Sequence, residues 1–273
     1  MFHSMNTIIL ASTILTILIS MIVLRQNPYT IIKNSFTTLF SNKKMFIQFL
    51  ALFLILYFNK MEQIFEKNID VGDFTPVIQQ LEGNGIYFIQ QFFLNDTLTY
   101  IFTFFYIIVF PAMMVSSLVV YINEDHRLFY AVIYALMLNY IIAIPFYLFF
   151  PIYEVWYFDH HVQFLIPQVY PNFELEYRPF SGINNNFPSL HTSISVSLAI
   201  IALRYKNLLF SKITLFSAII IVFSTLYLGI HWLLDMVAGV ILAFIASQTG
   251  LRLSDMVTNT HSFEIGNQLT TKR

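Results

Sequence analysis

The 273-residue chain is 57% hydrophobic and 11% charged, with 30 Phe and 16 Tyr, which excludes an ordinary soluble domain and fits a lipid-facing surface with interfacial aromatics. The net charge of −1 says nothing about partners, but nucleic-acid binding needs a basic face and none is apparent. With no cysteine, neither a disulfide framework nor a thiolate site can form.

Apolar runs long enough to cross a hydrocarbon layer of about 30 Å predict seven spans, near 5–24, 45–59, 98–122, 128–150, 188–205, 211–229 and 232–250. The fold class is therefore all-α, a polytopic transmembrane helix bundle. The first run has no basic leader or small-residue cleavage site and is followed by Arg25, the pattern of a retained anchor. The second run, with about fifteen residues, is the shortest and leaves little room for tilt. Between these two, Ile32, Phe36, Leu39 and Phe40 recur at helical spacing beside lysines, as in a helix lying on the membrane surface. After the second, two apolar pieces split by Gly83-Asn84-Gly85 predict a helical hairpin half sunk in one leaflet, either simple interfacial packing or a lid. Asn95-Asp96-Thr97 fits a glycosylation acceptor, a pattern short enough to arise by chance. The last fifteen or so residues read as a polar, mobile tail.

Orientation follows from the basic residues, which concentrate in cytoplasmic loops. With the N-terminus outside and the C-terminus inside, the inner segments hold Arg25, Lys33, Lys43, Lys44, Arg127, Arg204, Lys206, Lys212, Arg252, Lys272 and Arg273, eleven of the fourteen. Lys60, Lys67 and Arg178 remain outside. The long segments 60–97 and 151–187 then lie on the outer face.

That face gathers the chemistry. Pro188 suits the first turn of a helix, and Asn184, Asn185 and Asn186 ahead of it supply caps, so a helix is expected to start near Phe187 with Ser189 and His191 in its first turn. Free N–H groups at such an end favour an anion. Ser189, Ser193 and Ser197 share one face, the deeper two as packing glue. The chain descends about 26 Å over some seventeen residues, turns at Arg204-Tyr205-Lys206 and climbs back to His231. Gly229 permits a tight turn there, Trp232 anchors the interface, and Asp235 follows His231 by four residues on the same side of the last helix. A carboxylate so placed takes a hydrogen bond from one ring nitrogen and leaves the other more basic, which suits a nucleophile or base. Arg178 precedes this helix in the outer loop. Ionisable groups gathered at one membrane face are functional candidates. His160-His161 without further spaced ligands reads as loop, so no metal site is assigned.

At these residues the chain resembles the type 2 phosphatidic acid phosphatase superfamily. Its three motifs are Lys, six residues, Arg-Pro; then Pro-Ser-Gly-His; then Ser-Arg, five residues, His, three residues, Asp. Here they stand as Arg178-Pro179, as Pro188-Ser189-Leu190-His191, and as Ser224-Thr225 with His231 and Asp235 at the family spacing. The resemblance is sharp over about 177–240 and extends loosely, as a helical scaffold, over 98–250. It implies a nucleophilic His231 that forms a phosphohistidine, an orienting Asp235 and a general acid in His191, without cofactor or metal. Arg178, Ser189 and nearby backbone N–H groups would hold phosphate oxygens, with Thr225 at the position of a missing cation and Tyr227 or a main-chain donor as its substitute. The lysine of the first motif falls on Pro171, and the arginine of the third is Thr225. A phosphomonoester carries about −1.5 to −2 charge, so two fewer cations favour a diester. Pro-Ser-Leu-His without that arginine resembles the inositol phosphorylceramide synthase-like branch, which transfers a phosphoalcohol between lipids.

The implied organisation is 1–97 as anchor helices with interfacial segments, 98–250 as the catalytic bundle and 251–273 as a cytoplasmic tail. The implied partner is a lipid phosphate or phospholipid substrate in the membrane, with water or an alcohol as acceptor and the site on the extracytoplasmic or lumenal side; the sequence carries no oligomeric signal. A catalytically silent lipid-binding or transport protein on the same scaffold is the alternative. A channel fits less well, because the ionisable groups gather at one face and do not line a path.

Overall fold

A computed structural model describes residues 4–66 and 71–270. The chain begins with α1 (Met5–Leu24), capped by the Ser4 hydroxyl and closed by a left-handed Arg25. Helix α2 (Pro28–Ser41) starts on the Asn27 cap with proline in its first turn, where the missing N–H is not needed. It is helical where the spacing predicted a helix, with Ile32, Phe36 and Phe40 exposed and Ile31 and Leu39 buried. Helix α3 (Lys43–Glu66) is longer than the apolar run predicted, because helical structure continues through the polar residues after Phe58. The hairpin is present as α4 (Thr75–Glu82) and α5 (Gly85–Phe93), with Gly83 at positive φ between them.

Next, α6 (Asp96–Phe104), a π-helical segment at Phe105–Val109 and α7 (Phe110–Glu124) form one continuous rod. Helix α8 (His126–Phe149) returns. The segment after it holds three single-turn helices, α9 (Val155–Phe158), α10 (Ile166–Val169) and α11 (Phe173–Glu176), and a 3₁₀ turn at Arg178–Phe180. Three helices complete the bundle: α12 (Leu190–Ala202), α13 (Leu208–Tyr227) and α14 (Leu233–Thr270).

Among the described residues the architecture is all-α, and six helices are long and apolar enough to cross a membrane: Met5–Leu24, Lys43–Glu62, Asp96–Glu124, His126–Phe149, Leu208–Tyr227 and Leu233–Asn259. The seventh expected span, 188–205, is corrected to the 13-residue α12, only about 20 Å long at 1.5 Å per residue. It begins late, at Leu190, and the chain leaves helix after Ala202 to turn through Arg204. Helix α12 is packed among α7, α8, α13 and α14, so its hydroxyls face protein. Helix α14 continues to Thr270, so the backbone of the expected tail is helical up to that residue. Lys67, Lys272 and Arg273, counted in the charge asymmetry, lie outside the described residues.

Small residues set the closest approaches. A Cβ on Gly239 would come within 2.7 Å of the Ser189 carbonyl oxygen, and one on Gly250 within 2.7 Å of Ala131 O, so α14 meets both α12 and α8 through small side chains, as packed membrane helices do. Polar side chains tie the same three helices together. Asn139 donates to Ser197 Oγ (3.2 Å) and to Ala135 O (2.7 Å), while the Ser197 hydroxyl donates to Ala243 O (3.3 Å). At the end of the bundle opposite the histidines, Asn207 donates to Val23 O, Tyr205 to Glu124, and Arg127 pairs with Asp255.

Candidate active site

Helix α12 starts two residues later than Pro188 implied. Ser189 is the cap, its hydroxyl accepting from Thr192 N at 3.3 Å, which serines do well. Pro188 precedes it on a cis peptide and offers its carbonyl to the Tyr147 hydroxyl at 3.0 Å. The asparagines do not cap. Asn186 donates to Ile230 O and Asn185 to Glu62, so both tie the loop to other elements. His191 nevertheless sits in the first turn, stacked 4.0 Å from the Tyr106 ring and 4.3 Å from that of Phe110. Its buried Nε2 has no hydrogen-bond partner.

His231 lies in the turn before α14, not on the helix as its spacing to Asp235 implied. The N–H groups of Ile230 and His231 both donate to the Thr225 carbonyl, at 3.2 and 3.1 Å. Asp235, in the first turn of α14, accepts from Trp232 N at 2.9 Å, the carboxylate half of a capping box. Its Oδ2 stands 3.5 Å from His231 Nδ1, ion-pair distance without the alignment of a hydrogen bond. The two motif helices meet here, since Ser189 N donates to Asp235 O at 3.1 Å.

The loop over this turn holds it rigidly. Val155 N and Trp156 N donate to Ile230 O and Gly229 O, and Trp232 Nε1 donates to Tyr153 O. Gly229 adopts φ +79°, and a Cβ there would lie 2.5 Å from Gln163 O and 3.0 Å from Val162 Cγ1. Gly229→Ala is expected to cost more than the roughly 1–2 kcal/mol of a left-handed non-glycine residue, because backbone must also move. Thermal unfolding against wild type measures it. From the hairpin, the Glu82 carboxylate accepts from Leu233 N and Leu234 N at the start of α14 (2.8 and 2.5 Å). Burial raises its pKa and those two N–H groups lower it, the balance being upward.

Arg178 is held between two carboxylates. Its guanidinium makes a two-pronged pair with Glu154 (2.6 and 3.0 Å), reaches Glu174 (2.8 and 3.1 Å) and Gly182 O (2.9 Å), and lies over the rings of Phe164 and Phe173. Burial pushes the Glu154 pKa up, partly offset by Arg178 and by the Trp156 indole N–H. For Arg178 burial works against the charge, but the bonds and charges of Glu174 and Glu154 prevail and its pKa is raised. Glu154 was not legible as a site residue. The one available signal was the four-residue step from Glu174 to Arg178, which shows that the arginine has a local counter-charge.

A cavity of about 160 Å³ joins these pieces, lined by His191, His231, Glu154, Tyr106, Tyr140, Tyr147, Tyr177 and Asn59 among others. Among the described residues neither a lysine nor an arginine lines it. Two expected substrate-binding residues stand apart from it. The Tyr227 hydroxyl is engaged with Thr99 (2.8 Å) and the Asn95 backbone, and the Thr225 hydroxyl donates to Val222 O within α13. Ser189 is fully buried as the helix cap. The structure thus gathers His191, His231 and Asp235, with Arg178 one residue removed, behind Glu154.

Residues 157–258 match the PAP2 superfamily. The PAP2 segment runs from α9 into α14 and contains Arg178, Ser189, His191, His231 and Asp235. The resemblance to type 2 phosphatidic acid phosphatases therefore holds for this segment, and it supports phosphatase- or phosphotransferase-type chemistry. Tyr106, Glu154 and helices α1 to α8 lie ahead of the PAP2 match. No curated protein and no solved structure matches the chain.

Proposed function

We propose that the chain is a multi-pass membrane phosphotransferase or phosphoesterase that acts on a phospholipid through a phosphohistidine on His231. The observation that carries this reading is that His191 and His231 line one cavity, with Asp235 beside the Nδ1 of His231. Asp235 at Nδ1 keeps Nε2 as the attacking atom. A bond forms from Nε2 to phosphorus, the bond from phosphorus to the leaving alkoxide breaks, and His191 gives that oxygen a proton. Water or an alcohol then loses its proton to His191 and attacks phosphorus, which frees His231. No resident metal or cofactor is called for by these steps.

A diester donor fits better than a monoester. Among the described residues the cavity wall carries a carboxylate, Glu154, and no arginine or lysine, and Arg178 is already committed to Glu154 and Glu174. A dianionic monoester would meet repulsion there, whereas a diester brings about one negative charge fewer. This supports the inositol phosphorylceramide synthase-like reading, with a lipid alcohol as acceptor. The excess of basic residues at the opposite end supports an extracytoplasmic or lumenal site and an outside N-terminus. The same pairing of Arg178 also favours a second reading, a lipid-binding protein that has lost turnover.

Product analysis separates these readings. Protein in vesicles is offered phosphatidic acid or phosphatidylinositol, with and without a lipid alcohol, beside His231→Ala. Histidine-dependent head-group transfer from phosphatidylinositol is the expected result, histidine-dependent inorganic phosphate from phosphatidic acid establishes a phosphatase, and binding without turnover establishes the silent reading.

A further inference from the structure

A second hollow, of about 500 Å³, runs along the outside of the bundle between α1 and α7. One wall is a single face of α1 with Ile8, Ser12, Thr16 and Ser20 at four-residue steps, and the other is Ile107, Pro111, Val115 and Val119. Helix α2 closes the far end with Pro28, Ile31 and Ile32. From Met5 to Ser20 the groove follows α1 for roughly 22 Å at 1.5 Å per residue, longer than one leaflet, half of a hydrocarbon layer of about 30 Å. Ser12, Thr13, Thr16 and Ser20 alternate with Ile8, Ile9 and Ile17 along the α1 wall, and the short polar side chains leave room between the isoleucines.

The groove and the histidine cavity share a wall. Tyr177 lines both. On the rod between them, adjacent residues of the π-helical segment divide the two spaces: Tyr106 faces the cavity, stacked on His191, and Ile107 faces the groove. Widened turns of this kind re-aim side chains and recur at functional sites. Two further apolar hollows, one between α2, α3, α7 and α8 and one lined by Pro145, Phe146, Phe149, Phe150 and Phe187, share no lining residue with the cavity among the described residues.

We propose that this groove is the hydrocarbon-chain site of the donor lipid: one acyl chain lies between α1 and α7, and Tyr177 marks the crossing where the phosphate enters the histidine cavity. The proposal rests on the phospholipid reading above for the identity of the head group, but apart from Tyr177 the groove lies on α1, α2, the π-helical segment and α7, outside the PAP2 match. The chain-binding surface is therefore assigned to the N-terminal helices and the phosphate chemistry to the C-terminal ones. It also gives α1, which packs mainly on α7, the π-helical segment and α2, a role beyond anchoring.

Two measurements test it. In the first, His231→Ala protein in phosphatidylcholine vesicles is photolabelled with phosphatidylinositol carrying a diazirine at the end of one acyl chain. Label is expected on α1 and α7 groove residues such as Ser12, Thr16 and Val115, and an excess of unlabelled phosphatidylinositol is expected to remove it. Label spread equally over the exposed face of α13 at Phe216 and Ile219 overturns the proposal. In the second, kcat/KM is compared for long-chain and water-soluble short-chain phosphatidylinositol. Ser12→Phe is expected to shift the ratio about tenfold against the long chain, the equivalent of about two methylenes lost from the groove, while Ile219→Phe leaves the ratio unchanged. An unchanged ratio in Ser12→Phe overturns it. Groove labelling in a protein whose His231→Ala form still turns over supports the chain site and removes the phosphohistidine, so the two readings fail separately.

Discussion

His231→Ala is expected to lower turnover of the phospholipid donor by about 10⁴-fold or more, the scale on which loss of a nucleophile is felt, while leaving the protein folded. The two effects separate because the turn that carries His231 is held by its backbone. Its N–H bonds Thr225, and neighbouring Gly229 and Ile230 carbonyls receive Val155, Trp156 and Asn186. Removing the imidazole leaves those bonds in place. His191→Ala is expected to cost about 10²–10⁴-fold, and here the donor matters. A donor with an acidic leaving group such as p-nitrophenol needs no proton in the departing step, so His191→Ala is expected to recover most of the rate of that step, read as a burst of p-nitrophenol before the slower release of His231, and His231→Ala to show no burst. Equal losses for both variants on both donors would assign the two histidines the same role and remove the acid from His191. Trapping radiolabelled phosphorus on the protein, acid-labile and absent in His231→Ala, checks the covalent step directly.

The part of this site that was legible in the sequence is the part whose geometry is local. Pro188 to His191 marks one helix start, and the His231 to Asp235 step marks another. Two consecutive helices joined by a tight turn at Arg204 must bring those starts to the same end of the bundle. The detail of each start was not legible. Ser189 outcompetes the asparagines as cap because its hydroxyl reaches Thr192 N, whereas Asn185 and Asn186 have partners far along the chain in Glu62 and Ile230. Periodicity placed most of the spans but misjudged two lengths. Helix α3 continues through Asn59, Lys60 and Glu62 because helical backbone bonds do not require apolar side chains, and α12 is short because its enclosure by protein removes the need to span lipid alone. Glu154 was invisible because nothing within four residues of it predicts Arg178; the pair is made by folding of the segment between Phe150 and Phe187. The same holds for Tyr106, whose place beside His191 depends on a π-helical turn that no hydrophobic pattern announces.

Arg178 is where the sequence motif and the geometry part. In the family pattern it holds phosphate, but here the side chain is only 12% exposed and Glu154 only 6%, and the two are joined by two hydrogen bonds. Arg178→Met is therefore expected to destabilise the protein by about 3–5 kcal/mol, the cost of leaving a buried charge without its partner. Glu174→Gln, at the half-exposed end of the same guanidinium, is expected to cost no more than about 1 kcal/mol. The pH dependence has a definite sign. Burial already holds the Glu154 pKa above its ordinary 4.5 with Arg178 present, and removing the cation raises it further. A raised carboxylate favours its neutral form, so the Arg178→Met protein is expected to be most stable in acid and to lose stability as pH rises above 4.5. Arg178→Met with Glu154→Gln removes both charges and is expected to restore most of the stability at neutral pH. That double variant then decides the role of the arginine. If Arg178 serves mainly to neutralise Glu154 and hold the loop over the His231 turn, the refolded double variant turns over the donor within about tenfold of wild type, since each 1.4 kcal/mol of retained transition-state interaction is a factor of ten. If Arg178 leaves Glu154 to hold phosphate when substrate binds, the double variant is folded but loses about 10²-fold or more, as for other lost charge-stabilising donors.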